Sequence, residues 1–374
     1  MRIGINGRFL AGPVGGVQRF AHGVTAQLIG RANAVILAPR GARVPAAWRD
    51  RAPVHTGRLS GQLWEQLELP RTAARSCDVL FHPANTGPFA GPPAVLMLHD
   101  LFPLTHPEWY AHAFAMWYRV LIPATARRAA VILTTSVHSA RGIADSLGIS
   151  PERICAVPQG LAPLDSPAST ADVNATLATL GVSRPYVLVP GVGDARKNVP
   201  FAERVVALYL HTMGGTLTLV AFGDTRPRVH GRSAHGGPPA AGRARLAAGH
   251  GATLRVGRVS DDQLRALYTG AAAVLCPSLA EGFGRVPLEA MSCGAPCIVA
   301  RHECAEEVLA DTPARLLPLE PHAWCAGLWE IMVQRERVSP TENARLRSRW
   351  SWDASAAAVL AACETVSTMR AGGQ

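Results

Sequence analysis

Ser278-Leu-Ala-Glu-Gly-Phe-Gly-Arg-Val-Pro-Leu-Glu-Ala-Met-Ser-Cys-Gly294 is the stretch whose reading decides the rest of the chain. Upstream, Ala271–Cys276 is a short apolar run of the kind that forms a strand covered on both faces. Gly282 and Gly284 let the backbone approach a ligand, and Pro287 is expected at the first helical position, with Gly294 and Pro296 ending a short helix. Val286 then falls at the cap, where it accepts no hydrogen bond, so the first-turn N–H groups are left for an outside anion, with Arg285 close by. Glu281 and Glu289 flank the loop, seven residues between them.

Working outward, 374 residues exceed a comfortable single core and predict two domains. A hydrophobic fraction of 48 % against 17 % charged residues excludes a disordered chain. No apolar run has the length to span a bilayer, and the chain enters strand Ile3–Ile5 at once, so a cytoplasmic protein without a signal peptide is expected. The eight cysteines form no Cys-x-x-Cys pair and read as free core thiols; no metal site is expected. A net charge of +10 favours an anionic partner, but no aromatic-interleaved basic strand suggests nucleic acid. The region 31–75 is rich in arginine and proline; its Trp48 and Trp64 are expected in the core rather than on an anionic membrane.

Strand-like and helix-like runs alternate through the first half, which predicts a parallel sheet with crossover helices. Residues 1–165 are read as the first domain, 166–184 as a linker from their prolines and serines, 185–352 as the second domain and 353–374 as a final helix. In the first domain a glycine loop with Gly15 and Gly16 follows the first strand, His99 follows strand Ala94–Leu98, and a helix over Gln62–Pro70 is expected to end at Pro70. In the second, Arg196 and Lys197 stand before a helix that Asn198 is expected to cap, and Ser260 with Gln263 makes a capping box. Lys197 is the only lysine beside 36 arginines, which singles it out. Gly223–His250 reads as a surface insertion.

Glu281 and Glu289 with Gly-Phe-Gly between them, and the string Arg196-Lys197-Asn198, resemble the signatures of the retaining glycosyltransferases of family 4 (glycosyltransferase group 1), mannosyltransferase-like members included. The resemblance runs in order along nearly the whole chain, with Gln159 standing where asparagine is usual. It implies an α/β chain of the GT-B type: two facing Rossmann-like domains, an interdomain cleft and a C-terminal helix crossing back to the first. It implies a hexosyltransferase moving a sugar, with mannose from GDP-mannose as first guess, to a hydroxyl of a saccharide or lipid-linked acceptor in envelope or exopolysaccharide synthesis. His99, Arg196, Lys197 and Glu281 would serve catalysis. Gly15, Gly16, Gly282, Phe283, Gly284, Arg285 and Glu289 would bind the donor, Glu289 at the ribose. No cofactor or metal is implied beyond the nucleotide sugar, and peripheral contact with the inner face of an anionic membrane is expected. A nucleotide-sugar epimerase of the same architecture and a UDP-sugar-dependent transferase are the alternatives.

Overall fold

The computed structural model describes residues 1–161, 164–223, 242–245 and 252–372. They form two compact units: residues 1–105, 115–160 and 350–374, and residues 106–114 and 161–349. Most of the expected insertion at 223–250 lies outside the described residues.

In the first unit the described strands are β1 (Ile3–Asn6), β2 (Ala34–Ala38), β3 (Val54–Thr56), β4 (Val79–His82), β5 (Ala94–Met97), β6 (Val131–Thr134) and β7 (Ile154–Ala156). They pair in parallel in the order β3-β2-β1-β4-β5-β6-β7. The central strands are apolar at nearly every position because helices cover both faces of the sheet. On one face helix Gly16–Arg31 presents Phe20, Ala21, Val24 and Leu28, and the last helix, Trp352–Gly372, joins the same core through Val359, Cys363 and Val366.

The second unit comprises β8 (Tyr186–Pro190), β9 (Thr218–Phe222), β10 (Gly242–Arg245), β11 (Ala252–Gly257), β12 (Ala273–Cys276), β13 (Cys297–Ala300) and β14 (Arg315–Leu317). Its order is β10-β11-β9-β8-β12-β13-β14, parallel except for β10 against β11. Helices Val199–Met213 and Pro321–Gln334 cover one face around Phe201 and Trp324.

Four local expectations are corrected. The helix does not end at Pro70: a π-type turn, Trp64–Glu68, shifts the hydrogen-bond ladder just ahead of the proline and helix Leu69–Ser76 continues. The stretch read as a linker contains helix Thr170–Leu180, capped by Ser169 and closed by Gly181. Asn198 stands at the cap of helix Val199–Met213 in a left-handed conformation (φ 52°), but its side chain makes no cap bond. Val286 is not the cap of the signature helix, as described below. The Ser260–Gln263 capping box is present as expected. Trp48 and Trp64 are both buried.

Candidate active site

The second unit gathers its charges where β8 and β12 end. After β8 the chain turns at Gly191 (φ 86°), whose missing Cβ makes room for the Lys197 stem: a Cβ there would lie 2.3 Å from Lys197 Cγ. A 3-10 turn, Ala195–Lys197, follows, its start capped by Asp194, which accepts from the Arg196 N–H at 3.0 Å. This turn points Arg196 and Lys197 at one carboxylate. Arg196 donates to Glu281 Oε2 at 2.8 Å and Lys197 Nζ to Oε1 at 2.5 Å, with the three side chains only 14–18 % exposed. Arg196 is held further by Asp194 (3.1 Å) and the Ala280 carbonyl (3.2 Å), and its own carbonyl accepts from Leu279 N–H (2.9 Å). Burial alone would push the Glu281 carboxyl up; Lys197, Arg196 and the Ser278 hydroxyl outweigh it and hold the group well below the usual carboxylate range.

The signature helix spans Arg285–Ser292 and starts two residues earlier than expected. Gly284, at φ 89°, occupies the cap and Pro287 the third helical position, where its missing N–H costs nothing because that group has no intrahelical acceptor. Gly284 has no side chain with which to cap this helix start. Arg285 Nε donates to Glu289 Oε1 at 2.6 Å, four residues on; Glu289 is buried and Arg285 partly so. Phe283 is buried beneath the loop.

A small hollow lies beside these groups, lined among others by Lys197, Ser278, Glu281, Gly284, Val286 and His302. His302 is a site residue the sequence did not assign. It follows the carboxyl end of β13 and caps helix Glu303–Leu309, its Nδ1 accepting from the Ala305 N–H at 3.2 Å. Its signal was that position, the place where open parallel sheets collect ligands. Among the described residues no three His, Cys, Asp or Glu side chains converge as a metal-ligand set.

The remaining sequence-predicted residues lie in the first unit. The Gly15 N–H donates to Gln18 Oε1 at 3.1 Å, and Gly16 opens helix Gly16–Arg31 with open space around it. His99 is buried, with Nε2 on the Pro83 carbonyl at 3.0 Å and its ring edge against Phe20. The same unit holds a buried polar cluster that pattern reading missed: Asn6 Nδ2 donates to Glu65 Oε1 (2.7 Å) and to His82 Nδ1 (3.0 Å), and Arg8 reaches Glu65 (3.3 Å) and Thr86 (2.7 Å). Asn6 and His82 close β1 and β4, and only pairing of those strands brings them to Glu65.

Residues 182–337 match the family model described as Glycosyl transferases group 1, and residues 14–163 the model Glycosyltransferase Family 4. A D-inositol 3-phosphate glycosyltransferase of Segniliparus rotundus is 32 % identical over 103 residues, 26 % of this chain and 23 % of the relative. The O-antigen chain mannosyltransferase of Salmonella typhimurium is 33 % identical over 85 residues, 23 % and 24 % of the two chains. The chain spans from about a quarter to about half the length of such curated relatives. The crystal structure of Anabaena HepE in complex with UDP-glucose superimposes with a TM-score of 0.66 over 99 % of both chains at 17 % identity, a likeness of fold.

Proposed function

Because the chain belongs to the group 1 glycosyltransferases of family 4, we propose that it moves a sugar from a nucleotide diphosphate sugar to a hydroxyl with retention of configuration. The observation that carries this reading is the pair of cations, Arg196 and Lys197, fixed on Glu281 beside the glycine loop that opens helix Arg285–Ser292. Transfer requires a nucleoside diphosphate to leave while the anomeric carbon gains positive charge. Arg196, Lys197 and the amides of Gly282–Gly284 supply fixed positive charge for that leaving group, so we propose that no divalent metal is needed. In this reading Glu281 meets the donor sugar while keeping both cations in place, and Glu289, steadied by Arg285, meets the ribose. The first unit takes the acceptor; in it His99 is assigned to catalysis and the Gly15–Gly16 turn to donor binding. With no nucleophilic carboxylate assigned, the leaving phosphate accepts the proton of the incoming hydroxyl on the same face.

GDP-mannose is the proposed donor, supported by the mannosyltransferase among the relatives; a UDP-sugar is the second reading, supported by the HepE complex with UDP-glucose. The proposed acceptor is a saccharide or lipid-linked oligosaccharide at the cytoplasmic side of a membrane. No helix among the described residues is long and apolar enough to cross one.

A thermal-shift panel of nucleotide sugars tests the donor, since a ligand at 100 times its Kd adds about 2.7 kcal/mol of stability. Incubation of that donor with a saccharide acceptor should then give a product whose anomeric configuration, read by NMR, matches the donor's, with turnover unaffected by EDTA. Donor consumed without acceptor would favour the epimerase; an inverted product would overturn the retaining reading.

A further inference from the structure

The first unit leaves large apolar side chains in water along one continuous strip. Leu63, Leu67, Phe89, Met116, Trp117 and Val120 are 38–64 % exposed. They come from three segments that touch: Phe89 N–H donates to Gln66 Oε1 at 3.0 Å, between Leu63 and Leu67 on their helical run, and the Phe89 ring meets Trp117 edge-on at 6.2 Å. Trp117, Met116 and Val120 share a face of helix His112–Arg128, whose opposite side, with Ile122 and Ala126, enters the core. Isolated exposed apolar residues are ordinary, but six joined across three segments with two aromatic rings form a patch that asks for an occupant.

The charge around the strip selects the occupant. Arg71, Arg75, Arg119, Arg127 and Arg128 are exposed on the same or directly following segments, Arg71 donating to the Leu67 carbonyl and Arg128 to that of Gly91, and among the described residues none of them is in an ion pair with a carboxylate. The sequence from Trp109 to Ala144 contains no aspartate or glutamate. A second copy of this chain would bring arginines against arginines, whereas an anionic bilayer offers phosphate to the guanidinium groups and an interfacial zone to Trp117 and Phe89. We infer that this strip is a membrane-docking face, resting on anionic lipid with the aromatic pair inserted at headgroup depth and the arginines on lipid phosphates.

Co-sedimentation with vesicles tests it and needs no nucleotide sugar, so its outcome stands apart from the proposed transfer reaction. The protein should pellet with phosphatidylcholine vesicles containing phosphatidylglycerol at least about tenfold more than with phosphatidylcholine alone. The double variant Phe89→Ser with Trp117→Ser, and separately Arg119→Glu with Arg127→Glu, should each lower that binding by roughly tenfold. These side chains are exposed, and unchanged circular dichroism would confirm that the variants fold. Trp117→Phe keeps the apolar body and should remove most of the fluorescence quenching by brominated phosphatidylglycerol while leaving sedimentation near wild type. Equal pelleting of wild type and both double variants, or none with phosphatidylglycerol, overturns the proposal. A dimer that the Phe89 and Trp117 variants abolish, with no vesicle binding, overturns it in favour of a second copy.

Discussion

Lys197 is the residue on which the candidate site turns. Its stem lies over Gly191 and its ammonium on Glu281, so its position is set from both ends. Lys197→Ala should lower kcat by about 10²–10³-fold, the scale expected when one fixed donor to a developing anion is removed, while the melting temperature stays close to wild type because Arg196 still holds Glu281. Wild-type turnover in that variant would remove the lysine from the mechanism. Gly191→Ala tests the same geometry from beneath: at φ 86° a Cβ is strained by about 1–3 kcal/mol and collides with the lysine stem, so stability and turnover should fall together. A second residue-scale expectation concerns His82, buried with its Nδ1 accepting from Asn6. Burial, then Arg128 and Arg8, push its pKa from 6.5 down to about 3. The unfolded chain therefore binds a proton that the folded chain refuses, and stability should be full above about pH 6.5 and decline as pH falls towards 3. Urea titrations across that range should show a shallower decline in His82→Gln; an unchanged slope would assign the proton elsewhere.

At the scale of elements, the last helix shows how local sequence and packing meet. Trp352 opens it, and its ring fills the space left by two glycines, since a Cβ on Gly23 or on Gly160 would lie 2.4 Å or 2.3 Å from that ring. Ser355 Oγ donates to the Pro158 carbonyl at 2.7 Å and Arg31 pairs with Asp353. Trp352→Ala should cost about 3 kcal/mol, by analogy with other large-to-small substitutions, read as a lower urea midpoint with the m-value retained; a loss within error would mean that the helix is held by its alanine-rich face alone. Helix His112–Arg128 is the opposite case. Its pattern did not announce it, because Met116, Trp117 and Val120 are apolar on the exposed side and blur the 3.6-residue period, and Pro123 interrupts the run. The short edge strands β3 and β14 were equally silent, being three residues each and only partly apolar.

For the whole molecule, Arg196, Lys197, Glu281 and Glu289 all belong to the second unit, which has its own sheet and core. Calorimetry should therefore resolve a transition that GDP or UDP raises and another that neither moves; a nucleotide that raised both alike would mean that the second unit alone does not hold it. The sequence by itself determined the class of fold, because strands covered on both faces must be apolar throughout, and β1, β2, β8, β12 and β13 read as such runs. It also determined the residues of the signature loop and the singular lysine, since composition and order are local facts. Tertiary structure decided what local reading had no access to: that Glu281 sits between Arg196 and Lys197, 84 positions and more away in the chain, that His302 joins the same hollow, and that Glu65 is buried among Asn6, Arg8 and Thr86. The physical reason is that ion pairs and buried hydrogen bonds act over about 3 Å in space, and pairing of parallel strands sets which distant residues come that close.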